Sequence, residues 1–147
     1  MNIVGVQSYQ MEGVWPHVKD YFQSFEDRSK GEISAGELLH QVIKRERQCW
    51  IALDGKEVKA CALTEVQGGA LKTVVLGFCA GKDMQEWYRE MVDEIERWAA
   101  HMGSKRVRCI PRLGWEPSLK GLGYKKTHLL MDKDIGAKTS GSDGPNV

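Results

Sequence analysis

The chain has 147 residues, 41% of them hydrophobic and 28% charged, with 21 basic against 20 acidic side chains and a formal net charge of +1. That length suits one domain with one core, and the balance excludes a disordered chain. Near-neutrality gives no long-range pull toward nucleic acid or anionic lipid, so neither is expected as a partner.

In chain order, "NIVGV" (Asn2 to Val6) reads as a short strand. "EGVWPHVKDYFQSF" places Trp15, Val18, Phe22 and Phe25 on one helical face, with Pro16 in the first turn, where its missing N–H costs nothing. "SAGELLHQVIKRE" opens with a capping box in which Ser34 accepts from the amide of Glu37 and Glu37 reaches back. Leu38, Leu39, Val42 and Ile43 form the buried stripe of this second helix.

Three strands follow. "CWIAL" and "EVKACALTEV" flank Asp54-Gly55, a dipeptide suited to a two-residue hairpin whose centres both have positive φ. "LKTVVLGFCA" comes after Gly68-Gly69, so Cys49 to Cys79 reads as an antiparallel meander. The longest helix is predicted from Met84 to Met102, with Met84, Trp87, Tyr88, Met91, Val92, Ile95, Trp98, Ala99 and Met102 on its core face and Gly103 as a left-handed cap. "SKRVRCI" then reads as a strand parallel to the preceding one, because a helical crossover separates them. "WEPSLKGLG" is a short helix, "YKKTHLLMDKDI" the last strand, and "GAKTSGSDGPNV" a polar tail. The domain is thus expected over residues 1–135, with a tail at 136–147.

No apolar run is long enough to cross a bilayer and the start lacks a signal-peptide pattern, so neither a membrane nor secretion is expected. Cys49, Cys61, Cys79 and Cys109 lie in apolar segments without a C-x-x-C pair, and read as reduced core cysteines rather than metal ligands. Trp50 and Trp115 read as core residues as well, with a role as partner-contact anchors as the alternative.

The order strand, two helices, meander, long helix, strand, short helix, strand gives an α/β mixed sheet with helices on both faces. It resembles the GNAT superfamily of acyl-CoA-dependent N-acetyltransferases over Asn2 to Ile135. "LKGLGY" (Leu119 to Tyr124) is similar to that family's closing unit, and "WIALDGKEVKACALTE" to its hairpin. "CWIALDG", "GKDMQEW" and "RLGWEPSLKGLGY" resemble a group of phage-encoded GNAT-like proteins. The resemblance implies a GNAT-like mixed sheet, an antiparallel meander plus a splayed parallel pair.

It also implies where chemistry would sit. In the family, acetyl-CoA lies between the splayed strands, and its pyrophosphate rests on amides at the start of the following helix, where unpaired N–H groups favour an anion. The family pattern there is Arg or Gln, two residues, Gly, one residue, then Gly or Ala. "FCAGKDMQEW" matches only at Gly81, so Phe78, Cys79, Gly81 and Lys82 are the candidate cofactor contacts. Asp83 to Glu86 reads as a capping box that occupies the amides and adds negative charge. The family's Tyr acid falls on Leu119, which has no proton to give. Glu65 and His128 are the candidate bases and Cys79 a candidate nucleophile.

Two functions follow from the resemblance. One is a GNAT-fold protein with a degraded acetyl-CoA site, a non-catalytic structural or interaction component of a phage virion or its assembly. That places it in the host cytoplasm or the virion, with protein partners in the virion or in a homo-oligomer. The other is an active acetyl-CoA-dependent N-acetyltransferase acting on a small amine or a protein amino group. A nucleic-acid role would rest on Lys105, Arg106, Arg108 and Arg112 in an otherwise balanced chain.

Overall fold

A computed structural model describes residues 1–136 apart from Leu71 and Arg112. They divide between two compact units, one of Met1–Glu116 and one beginning at Pro117. The first holds a five-stranded sheet in the order β1 (Asn2–Val6), β2 (Gln48–Asp54), β3 (Glu57–Gln67), β4 (Thr73–Gly81), β5 (Arg106–Cys109). The first three pairings are antiparallel and β4–β5 is parallel. This is the mixed sheet that the element order predicts.

Helices cover both faces of it. α1 (Met11–Arg28) and α2 (Ala35–Ile43) lie on one side, where Met11, Val18, Phe22, Phe25 and Leu38 are fully buried against Cys49, Ile51, Cys61 and Leu63. Phe25 meets Phe22 and Phe78 at ring-centroid distances of 6.0 and 5.4 Å, which ties α1 to β4. Each such buried ring contributes about 1.5–3 kcal/mol. α3 (Tyr88–His101) covers the other face, with Met91, Ile95 and Ala99 against Ala52, Ala60, Ala62 and Val74. Small alanines on that face leave room for Trp50, which packs edge-on against Trp98 at 5.4 Å and donates from Nε1 to Thr64 Oγ1 at 3.0 Å. Thr64 in turn donates to Gln48 at 2.8 Å, so this buried polar pair is satisfied.

Local signals decide most element ends. Ser34 accepts from the Glu37 amide at 3.0 Å and Glu37 from the Ser34 amide at 3.2 Å, the predicted capping box. Gly103 (φ +83°) closes α3 through Gly103 N to Ala100 O and Ser104 N to Ala99 O. Gly123 (φ +94°) closes α4 (Glu116–Gly121) the same way, through Lys120 O and Leu119 O. Both positions need the left-handed region, which a side chain would strain.

Four expectations are corrected. A 3-10 turn at Ser8–Gln10, in which the Gln10 side chain accepts from the Gln7 amide at 2.8 Å, starts α1 at Met11. Pro16 therefore stands in the second turn, where the Glu12 carbonyl loses a helical donor. The hairpin closes with Asp54 opposite Glu57, so its centres are Gly55 and Lys56, and only Gly55 has positive φ (+62°). Ile43 and Met102 are 50% and 38% exposed rather than buried. Residues 124–135, read as the last strand, form none: they are irregular, with Leu129, Leu130, Met131 and Ile135 75–85% exposed. Of the expected tail, only Gly136 falls within the described residues.

Candidate functional site

The parallel pair β4–β5 is short. It runs from Thr73 opposite Arg106 to Leu76 opposite Cys109, and Ile110 N adds a last bond to Leu76 O at 3.1 Å. At that point β4 carries a bulge: Leu63 faces Phe78 and Thr64 faces Leu76, which leaves Gly77 as the extra residue. A bulge bends the strand and strengthens its twist. Beyond it β4 continues to Gly81 paired with β3, while the chain after β5 turns into a 3-10 segment at Leu113–Trp115. The two parallel strands thus part at a defined place, as the resemblance implies.

The lip of β4 is tightly built. A Cβ on Gly81 would lie 2.6 Å from Lys59 O and from Ala60 Cβ, and 2.8 Å from the Trp87 ring, so only glycine fits. The next residue, Lys82, is bound by its main chain, its amide to Lys59 O at 3.1 Å and its carbonyl to Trp87 Nε1 at 2.7 Å. Trp87 is 1% exposed and meets Trp115 at 5.6 Å. Because Trp87 follows β4 and Trp115 follows β5, this aromatic pair joins the two arms just past their parting.

The predicted start of the long helix is corrected here. Asp83 is left-handed (φ +53°) and makes no side-chain cap bond. Glu86 N bonds the Asp83 main-chain oxygen at 2.8 Å, a 3-10 turn spans Met84–Glu86, and α3 begins only at Tyr88. The capping box of Asp83 and Glu86 does not form, because a left-handed residue turns its side chain away from the amides that follow. The residue at the cap of α3 is Trp87, with its indole turned inward, and the first turn of the helix holds Glu90. A pyrophosphate needs open amides at a helix start and compensating positive charge. This turn offers Lys82 beside Asp83, Glu86 and Glu90 instead, so the residues present do not fit the seat that the resemblance implies for acetyl-CoA.

The candidate catalytic residues of the first unit, Glu65 and Cys79, are not brought together. Glu65 lies on the α1/α2 side of the sheet, two residues along β3 from the buried Leu63, and ion-pairs with Arg47 at 3.5 Å. Arg47 also stacks over the Phe78 ring at 5.5 Å. Cys79 packs on the α3 side, and its carbonyl accepts from Arg28 at 3.3 Å. His128 lies in the irregular stretch of the second unit, exposed, with Nδ1 2.7 Å from Thr127 Oγ1. Leu119, where the family's acid would stand, is buried and apolar.

Cys49 and Cys61 thiols meet at 3.8 Å in the core, and burial, then the bond to Cys49, pushes the Cys61 thiol well above its ordinary value. Among the described residues no three Cys, His, Asp or Glu side chains gather as a metal site. Lys105 precedes β5, and Arg106 and Arg108 point away from α3, since Val107 and Cys109 pack toward it; Arg112 lies outside the described residues. Trp50 and Trp115 both pack inward, as read. Arg28 and Arg47 escaped the sequence reading, because single arginines before a loop or strand carry no local signal of what they meet.

A sheet of this order with helices on both faces and a parting parallel pair defines the GNAT fold of N-acetyltransferases. Solved structures agree. The fold superposes on an aminoglycoside N-acetyltransferase in complex with CoA (TM-score 0.66, 12% identity, 91% of this chain and 98% of that one). It also superposes on a ribosomal-protein-alanine N-acetyltransferase from Brucella melitensis biovar Abortus 2308 (0.63, 8%, 92% and 99%). A third is an aminoglycoside acetyltransferase from an uncultured soil metagenomic sample, in complex with sisomicin (0.68, 8%, 91% and 95%). No family model and no curated protein matches the sequence. No helix among the described residues is long and apolar enough to cross a membrane.

Proposed function

We propose that this chain uses the GNAT fold as a non-catalytic interaction or structural module, and that its work is to bind protein. The observation that carries this reading is the Trp87–Trp115 pair, which fastens the two arms where the fold's cofactor would enter. The left-handed Asp83 and the acidic turn after it add to the same reading, because they set like charge where a pyrophosphate would rest. The three stretches similar to phage-encoded GNAT-like proteins favour a role in a phage virion or its assembly, in the host cytoplasm or the particle.

The test is titration of acetyl-CoA, with desulfo-CoA beside it, into the purified protein by calorimetry at low salt. The expected result is no heat and no thermal stabilisation. Micromolar binding would overturn the reading. One feature favours the second function, an acetyltransferase acting on a small amine or protein amino group: the strands do part at a Gly77 bulge, as they do where the family's cofactor lies. Thiol release from acetyl-CoA in the presence of amines, measured on the same preparation, would select it.

A further inference from the structure

On the side away from β5 the sheet ends at β1, which among the described residues pairs with β2 alone. Natural edge strands are blunted by lysine, proline or a bulge, because their outer amides and carbonyls are open to a further strand. β1 has none of these. "NIVGV" carries no charge and no proline, and its pairs with β2 run from Asn2 opposite Leu53 to Val6 opposite Cys49 without a shift. Exposed apolar side chains flank it at both ends, Met1 at 39% and Tyr9 at 80% exposure.

The two ends of this strand differ in charge. At the first, a cavity of about 240 Å³ opens between Met1, Ile3 and the α3 residues Glu90, Asp93, Glu94 and Arg97. Arg97 pairs with Glu94 of its own helix, and no ion pair among the described residues reaches Glu90 or Asp93. This end is acidic. At the other end Arg45 donates from Nε to Ser8 Oγ at 3.3 Å, and its side chain is exposed. Its exposed neighbours Lys44 and Glu46 offset each other. Arg45 has a left-handed backbone (φ +65°), which glycine adopts at less cost, so a cation stands here against the local preference. This end is basic.

We propose that β1 of one copy pairs antiparallel with β1 of a second copy, joining the two sheets across a two-fold axis. With Val4 opposite Val4, Asn2 meets the partner's Val6 and Ile3 meets the partner's Gly5. This register pairs residues of equal parity, so whichever alternate amides face outward find a match. Gly5 leaves room for the incoming isoleucine. The Trp50 ring lies 3.4 Å from where a Cβ of Gly5 would stand, and it gives that side chain an aromatic surface to pack on. The two-fold also sets the Arg45 end of each copy against the acidic end of the other, so the charge match is made twice. It carries each Tyr9 past the partner's Met1 to the mouth of the acidic cavity, where a phenol can donate to carboxylate. A net charge of +1 opposes such pairing little. The inference names a partner for the interaction reading above but survives its failure, since acetyl-CoA titration and oligomeric mass report on the two separately.

The experiment is light scattering on the full chain through a micromolar dilution series, with two charge-reversal variants. The wild type should show twice the chain mass. Arg45→Glu, and separately Glu90→Lys with Asp93→Lys, should each weaken the pair about tenfold or more and show the single chain mass where wild type is doubled. Circular dichroism confirms that both are folded. Mixed, the two variants should recover the doubled mass, because an acidic end then meets a basic one at both sites. A pair built on another surface would gain nothing from mixing. Tyr9→Ala, at a side chain too exposed to hold the single copy together, should weaken the pair about fivefold or more without changing urea unfolding of the single copy. A single-mass wild type, a doubled mass indifferent to the reversals and to Tyr9→Ala, or a mixture that stays at single mass would each overturn the proposal.

Discussion

In β3, Ala60, Cys61, Ala62, Leu63 and Thr64 have no exposed surface. β2 and β4 take both edges of that strand, and α1 and α3 close its two faces. In residues 124–135, Leu129, Leu130 and Met131 stand largely in solvent with no ladder beside them. Both stretches read as strands, since each mixes β-branched or apolar residues with polar ones between turn signals. The difference lies in what flanks them. A strand is a relation between two chains' hydrogen-bonding edges, and sequence alone specifies only one partner of it.

Replacement of one leucine by alanine in each stretch measures that difference. Leu63→Ala in β3 should carry the largest effect, a loss of about 2–5 kcal/mol in urea unfolding, from lost transfer energy plus the cavity left behind. A loss under about 1 kcal/mol would mean that the core here closes over the gap.

A second measurement uses the Cys61 thiol, buried in the same strand. Its folded pKa lies above the ordinary 9.0, chiefly through burial. The unfolded thiol ionises first as pH rises, so stability is complete below about pH 9 and falls above it, by at most about 1.4 kcal/mol per pH unit. Cys61→Ala should flatten that alkaline slope when unfolding is compared between about pH 8 and 10. Equal slopes in the two proteins would show that the thiol is not shielded from water.

The smallest effect is expected at Leu130→Ala, which should leave unfolding within about 0.5 kcal/mol of wild type, as for any exposed position. A cost near that of Leu63→Ala would mean that the stretch is buried in solution, and the contrast between the two regions would collapse.

Much of the fold was legible. Periodicity of three and four residues marked the buried faces of α1 and α3, and alternation with turn residues marked β2 to β4. Ser34 with Glu37, Gly103 and Gly123 set their element ends through bonds within a few residues, which is why sequence could foretell them. The helix start at Asp83 was misread for a related reason. The motif is local, but a left-handed backbone at Asp83 depends on Gly81 packing against Ala60 and on Trp87 reaching Lys82 O, contacts made across strands.

The candidate site was legible only as positions. Glu65, Cys79 and His128 could be named as chemistry-bearing residues. Strand parity put the first two on opposite sides of the sheet, and the third lies in a stretch that forms no strand. Nothing in the sequence near Trp87 announces Trp115.

By itself, then, the sequence determined the order of elements, the faces they bury and the caps that end them, because those depend on residues a few positions apart. Tertiary structure alone decided where β4 and β5 part, that two indoles meet past that point, and that the last apolar stretch forms no strand among the described residues. Each of these is a contact between segments distant along the chain, and only the packed fold sets which segments become neighbours.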